Sequence, residues 1–277
     1  FIIFGMHYGN IVVLKKTGQQ HNTEKLFCMK EMTDEQLVST TQFVVTSAET
    51  DMYSRVRVGA LVNVLIQAAI QSADEMGYGF KDLRRNQLFW VLSRLQFEIQ
   101  QVPKWHDVIE VDTWAKGTEK LFYLRDFLVR DSENHTIAFA TSCWLAIDLE
   151  SKRPKKVAGE NAHLFEQLKN KHAIKASPAK LRQINGGERF ETQSRYFDID
   201  LNKHVTSTRY IDWMMDTFSP EFHQDHYPRM LSVNYLKETM PLETIHIYRS
   251  EISKEEYGFE GINASTQTSA FRGNLKF

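Results

Sequence analysis

Leu92-Ser93-Arg94-Leu95-Gln96-Phe97-Glu98, followed by Pro103 and by Asp107-Val108-Ile109-Glu110-Val111, has a second version further along the chain. That version reads Leu231-Ser232-Val233-Asn234-Tyr235-Leu236-Lys237-Glu238, followed by Pro241 and by Glu243-Thr244-Ile245-His246-Ile247. Self-similarity of this kind decides an architecture before any single motif does, because each copy is a structural unit. The offset falls from 139 (Leu92 to Leu231) to 136 (Asp107 to Glu243), as shorter turns in the second copy would produce. Around these segments both copies keep one order: an opening strand (41–45 and 190–196), polar residues, a helix, a strand, a Pro-containing turn and further strands.

The first helix is marked by Val58, Leu61, Val62, Leu65, Ala68, Ala69 and Ser72 at three- and four-residue spacing, with Gly77 and Gly79 as stops. It is unusually apolar, as a helix surrounded by a sheet would be. The second, at about 207–217, carries Tyr210, Ile211, Trp213, Met214 and Met215. The runs 108–114, 121–130 and 136–148 are rich in β-branched and aromatic residues and are bounded by turns at Gly117 and 131–135. One long helix and a meander of strands, present twice, predict an α+β protein of two halves packed side by side. The boundaries read as 40–150 and 188–277, joined by a polar, Lys-rich linker at 151–187 that is partly helical near 162–171.

The 277 residues carry 34 basic and 35 acidic side chains, a balance without the bulk basic footprint of nucleic-acid binding. Cys28 and Cys143 form neither a disulfide framework nor a CxxC or Cys/His metal spacing, which points to a reducing cytosol and no structural zinc; no cofactor is expected. No run reaches the roughly 18 apolar residues of a membrane helix. Residues 1–39 read as a peripheral extension. Its apolar start, FIIFGMHYGNIVVL at 1–14, lacks the basic region and cleavage site of a secretory signal. Residues 1–31 are expected to come from an upstream start site, with MTDEQLVST from Met32 as an ordinary beginning; the alternative is an extra edge strand over the core.

The chemistry-bearing stretch is Tyr196-Phe197-Asp198-Ile199-Asp200-Leu201-Asn202-Lys203-His204-Val205, just before the second helix. Asp198, Asp200, Asn202 and His204 alternate with other residues, so an extended backbone would turn them to one face. The helix that follows offers unpaired N–H donors and a partial positive charge, as stabilisation of an oxyanion requires. Two readings stand together here: a catalytic group, or helix-capping carboxylate and amide beside a surface histidine. Glu238, near the end of a strand, is a second candidate whose plain reading is a solvated charge.

These segments together resemble the acyl-acyl carrier protein thioesterases. The resemblance rests on Arg84-Arg85-Asn86 with Trp90-Val91, Pro103-Lys104-Trp105-His106-Asp107, Arg125-Asp126-Phe127 and Ala140-Thr141-Ser142-Cys143-Trp144 in the first half. In the second half it rests on Asp200-Leu201-Asn202-Lys203-His204-Val205 with Tyr210 and Trp213, and on Tyr235-Leu236-Lys237-Glu238-Thr239. It implies a tandem (double) hot-dog fold, each half a long helix wrapped by an antiparallel sheet. It also implies hydrolysis of fatty acyl thioesters carried on acyl carrier protein, with Asp200, Asn202, His204 and Glu238 as catalytic groups and no metal. Many plant members have a cysteine after the glutamate, where this chain has Thr239. A cysteine nucleophile is therefore not expected, and the expected route is attack by water with Glu238 as general base.

The same resemblance implies an acyl chain held along the first helix, for which Val58, Leu61, Leu65, Trp90 and Leu92 are the expected lining. Carrier proteins are acidic, so Arg84 and Arg85 are the expected carrier contacts, with KRPKK at 152–156 as a further basic run. A hot-dog acyl-CoA thioesterase, a dehydratase or hydratase of the same fold, and a non-catalytic acyl-binding module are the rival readings. Pairing of two halves within one chain already meets the usual need for a partner; a homodimer stays open.

Overall fold

A computed structural model of the chain describes residues 32–158 and 160–277, so the expectations for 1–31 fall outside the described residues. Leu37, within the stretch read as peripheral, is buried. The first helix, α1 (Val58–Glu75), ends just before Gly77, the first of the two expected stops. Gly77, at φ 72°, then turns the chain back, and the Tyr78 amide donates to the Ala73 carbonyl (3.0 Å), a turn for which a residue without a Cβ is suited. Leu61, Val62 and Ala68 are 0% exposed. Burying a leucine or valine side chain contributes roughly 1.5–3 kcal/mol. The surrounding sheet therefore holds this helix, since its several valines lower helix propensity.

Among the described residues ten strands form one antiparallel sheet. In chain order they are β1 (Ser39–Val44), β2 (Leu88–Ile99), β3 (Val108–Glu119), β4 (Phe122–Arg130), β5 (Thr136–Asp148), β6 (Glu188–Gln193), β7 (Met230–Tyr235), β8 (Thr244–Ser253), β9 (Glu256–Asn263) and β10 (Ser269–Lys276). They lie side by side as β1-β3-β4-β5-β2-β7-β10-β9-β8-β6. Matching β6 to β1, β7 to β2, β8 to β3, β9 to β4 and β10 to β5 makes the order read the same from either end. A pseudo-twofold axis thus passes between β2 and β7. The register agrees: Arg94 faces Asn234 and Leu95 faces Val233, and the 139-residue repeat offset carries one pair onto the other. At the same seam Phe97 faces Leu231, and neither has exposed surface.

The second long helix, α4 (Ser207–Met215), is shorter than expected and ends at Asp216. It crosses α1 so closely that a Cβ on Gly59 would lie 2.3 Å from Asp212 Oδ1. Short helices α2 (Phe80–Arg85), α3 (Leu164–Gln167) and α5 (Pro220–Asp225) complete the described helices. The 151–187 connection is pinned down rather than slack. Trp114 Nε1 donates to the Lys171 carbonyl (3.0 Å) and Lys116 Nζ to that of Ile174 (2.6 Å). The Ala173 amide donates to Asp126 (2.7 Å), which is itself ion-paired with Lys116 at 3.0 Å in the interior. Asn234, on the central strand, receives the Leu181 amide (2.8 Å) and donates to the Ala179 carbonyl (3.0 Å). Helical structure near 162–171 is limited to a 3-10 turn at Glu160–His163 and to α3.

Candidate active site

Residues 196–205 do not run extended. A 3-10 turn, Tyr196–Asp198, is followed by a loop whose ends, Ile199 and Val205, bridge one another. Between them Asp200 folds the chain on itself. Its amide donates to the His204 carbonyl (2.8 Å), its carbonyl accepts from Lys203 (3.0 Å), and its Oδ1 accepts from the amides of Asn202 (2.8 Å) and His204 (3.3 Å). Lys203 takes φ 66° to complete the turn. A carboxylate that captures nearby amides overrides the period-two pattern, so Asn202 and His204 are presented by a turn and not by a shared strand face. Neither Asp200 nor Asn202 caps α4, whose N-cap is Thr206 without a side-chain cap bond. The capping reading is thereby set aside, and the first amides of α4 have no side-chain cap.

The Val205 amide donates to the Thr239 carbonyl (2.9 Å), which brings the segment after β7 against this turn. His204 Nε2 and Glu238 Oε2 then stand 3.6 Å apart, the imidazole 12% exposed and the carboxylate 45% exposed. Groups at that separation can bond to one shared water oxygen at roughly 2.8 Å each. Asp200 holds His204 by its backbone; the ring nitrogen Nδ1 is buried without a hydrogen-bond partner among the described residues. Burial raises the Asp200 carboxyl above its ordinary pKa, against the opposing pull of the two backbone donors and the His204 charge.

The first half contains the same turn, which the sequence comparison missed. Asp51 donates its amide to the Arg55 carbonyl (2.7 Å) and accepts from Ser54 at its carbonyl (3.1 Å). Its Oδ1 accepts from the amides of Tyr53 and Arg55 (2.9 Å each). Ser54 sits at φ 61°, Thr50 bridges Val56, and the Val56 amide donates to the Pro103 carbonyl (2.9 Å). Tyr53 thus stands where Asn202 does, Arg55 where His204 does, and Val102 where Glu238 does. The signal was present in Asp51-x-Tyr53-x-Arg55-Val56 against Asp200-x-Asn202-x-His204-Val205, each ending two residues before a helix. Arg55 is consumed structurally, paired with Asp51 (2.8 Å) and donating to the His223 carbonyl (2.6 Å).

Thr239 is fully buried. Its hydroxyl lies near that of Tyr210, yet neither has a partner in hydrogen-bonding geometry among the described residues. Cys143 lies buried in β5 of the first half, its thiol pushed up to about 12 by desolvation. Neither fits an activated nucleophile, which needs a base at hand or a lowered pKa.

A cavity of about 60 Å³ lies against the C-terminal part of α1 in the first half, walled by Ala69, Ala73, Trp90, Tyr123, Trp144 and Phe165 among others. The space opens where α1 presents alanines one turn apart. Of the five side chains expected to line it, Trp90 does so; Val58, Leu61, Leu65 and Leu92 are packed in the core instead. Phe165 of α3 closes one side, its ring 4.6–6.1 Å from those of Tyr78, Tyr123 and Trp90. Arg125 also reaches this wall, a buried guanidinium held by Ser72, Thr113 and Tyr78 at 2.9–3.1 Å. Arg84 and Arg85 are exposed at the end of α2, beyond the C-terminus of α1. The structure brings Asp200, Asn202, His204 and Glu238 together, with these two arginines at the other end of α1.

Comparison with known proteins agrees with the topology. The acyl-ACP thioesterase N-terminal domain matches residues 36–165 and the acyl-ACP thioesterase C-terminal domain residues 181–272. Oleoyl-acyl carrier protein thioesterase 2, chloroplastic, of Arabidopsis thaliana is 25% identical over 82% of this chain and 67% of its own length. The crystal structure of an acyl-ACP thioesterase from Bacteroides thetaiotaomicron has a TM-score of 0.83 and 27% identity, covering 89% of this chain and all of that one. The 12:0-ACP thioesterase from Umbellularia californica, at 20% identity and TM-score 0.76 over 87% of this chain and 96% of that one, shares the fold.

Proposed function

Because the chain belongs to the acyl-ACP thioesterase family, a family of thioester hydrolases with the double hot-dog fold, we propose that it hydrolyses its acyl carrier protein thioester with a water molecule held between Glu238 and His204. The observation that supports this is the approach of Glu238 Oε2 to 3.6 Å from His204 Nε2 at a half-exposed mouth. Glu238 takes a proton from water as its oxygen bonds to the thioester carbon. The carbonyl oxygen, negative in the tetrahedral intermediate, is met by the uncapped first amides of α4 and the Asn202 side-chain amide, donors fixed before reaction begins. Collapse breaks the carbon–sulfur bond, and the proton held on Glu238 passes to the departing thiolate. Asp200 is a positioning residue that shapes the turn carrying Asn202 and His204.

The acyl tail is assigned to the first-half cavity. From Gly59, where α4 crosses, to Ala69 and Ala73 is about 15–21 Å along α1 at ~1.5 Å per residue. An extended chain of roughly a dozen or more carbons, built of ~1.5 Å bonds, spans that distance. On a scale where a water needs roughly 10–15 Å³, the cavity holds the end of such a tail. We place the reaction in the cytoplasm, a reading that rests on the small number of cysteines in the sequence. The test is release of free fatty acid from acyl carrier protein thioesters by the purified chain and by His204→Ala. The wild-type chain is expected to turn over and the variant to fall by roughly 10²–10⁴-fold, the range of acid–base groups. A folded His204→Ala variant with near-normal turnover would sink the assignment.

A further inference from the structure

The mouth of the site is ringed by apolar side chains that the fold does not use. Tyr196 and Phe197 are 85% and 88% exposed, and Leu242 is 70% exposed. Large aromatic side chains are seldom left this open on a monomer surface, and a contiguous exposed patch marks a contact site. The three belong to one surface: Ser194 Oγ donates to the Met240 carbonyl (2.7 Å), and the Leu242 amide donates to the Ser194 carbonyl (3.1 Å). One of these segments leads into Asp200 and His204; the other follows Glu238 directly.

The duplicated turn shows that these aromatics are dispensable for folding. The corresponding 3-10 turn of the first half, Ser47–Glu49, makes the same backbone bonds with Ser47 and Ala48 where the second half has Tyr196 and Phe197. At these two positions the aromatics occur only in the copy that holds His204 and Glu238. Around them stand three exposed cations, Arg195, Lys203 and Lys237. The thioester reaches Glu238 on an arm tethered to an acidic protein, so whatever carries it must sit within arm's length of this mouth. Basic charge flanking an aromatic centre suits an acidic protein with an apolar contact of its own.

We propose that Tyr196, Phe197 and Leu242, flanked by Arg195, Lys203 and Lys237, are the face on which the acyl carrier protein docks. The proposal rests on the reading that the thioester is cleaved at Glu238 and His204. The experiment compares the wild-type chain with Tyr196→Ser/Phe197→Ser and, separately, with Leu242→Ser. The substrates are dodecanoyl-acyl carrier protein and dodecanoyl-pantetheine, which has the arm but no protein. Carrier binding is also measured directly by calorimetry. Loss of aromatic anchors is expected to raise KM for the carrier substrate and Kd for the carrier at least tenfold. Turnover number, and hydrolysis of the pantetheine thioester, stay within twofold. Met52→Ser, equally exposed on the matching turn of the first half at 76%, moves none of these readings. Unchanged carrier KM and Kd in both variants overturn the proposal, as does an equal loss on both substrates. So does loss of co-sedimentation with anionic phospholipid vesicles at unchanged carrier Kd, which would make the patch a membrane contact. Wild-type chain that binds carrier through this face yet cleaves neither substrate would reject the hydrolytic reading while leaving the docking face standing.

Discussion

Asp200 and Asp51 perform the same task in the two halves, each gathering two backbone amides, yet only one turn carries a histidine and faces a glutamate. That comparison separates scaffold from chemistry without a single mutation. The aspartate is common to both turns and so belongs to the scaffold; Asn202, His204 and Glu238 are what the second half adds. Asp200→Asn keeps an oxygen that can accept the Asn202 and His204 amides, and is expected to retain activity within about tenfold. Asp200→Ala removes the acceptor, leaves two amides without it, costs roughly 1–3 kcal/mol and lowers turnover much further; thermal melts and steady-state rates on both variants check the difference. Thr239 yields the opposite expectation. Its hydroxyl is buried without a partner in hydrogen-bonding geometry, so Thr239→Val is expected to leave turnover within twofold and thermal stability equal or slightly higher. A large loss of activity in that variant would revive a covalent route. Glu238, near the end of a strand, stood out through the family resemblance, whereas Asp200, Asn202 and His204 were legible in the sequence as polar groups crowded before a helix. The turn that presents them was not, since alternation in sequence implies a shared face only if the backbone stays extended, and one aspartate side chain is enough to bend it.

Helix α1 is packed tightly along one half and, on the reading we propose, lines the acyl site along the other. Its N-terminal half is tightly enclosed and meets α4 at Gly59, where any side chain must displace Asp212. Gly59→Ala is expected to cost roughly 1–3 kcal/mol, the usual cost of overpacking, read as a lowered melting temperature. Its C-terminal half narrows to Ala69 and Ala73 and leaves space. The 3- and 4-residue spacing made the helix plain, but the same apolar letters stand for core in one half and cavity wall in the other. For that reason Val58, Leu61, Leu65 and Leu92 looked like lining and are core. The wall is completed by α3, whose Phe165 comes from the connection between the halves. Truncating it enlarges the cavity, so Phe165→Ala is expected to shift preference towards longer acyl chains, and Phe165→Trp towards shorter ones. A panel of carrier thioesters of increasing chain length reads this; an unchanged profile would remove the cavity from the account of specificity.

At the scale of the molecule, the repeat seen in Leu92 to Val111 and Leu231 to Ile247 became the symmetry of the sheet. It was legible because β2 and β7 lie at the centre, where both strands must present matching buried residues to the same partner. The outer parts of the repeat drifted: the two catalytic-type turns share little beyond an aspartate and a valine. Since β2 and β7 each need the other as a neighbour, residues 188–277 expressed alone would expose the edge of β7 with Leu231 and Val233 beside it. That fragment is expected to aggregate or stay unfolded, as circular dichroism and size-exclusion chromatography would show. On the mechanism we propose, a two-half chain with one furnished site divides its labour: the first half receives the acyl tail, the second holds the water and the thioester. The most direct test of that division is the rate of Glu238→Gln on an acyl-acyl carrier protein substrate, measured on protein whose melting temperature matches the wild type. A fall of roughly 10²-fold or more with carrier affinity unchanged is the predicted result, and turnover near the wild-type rate would contradict it.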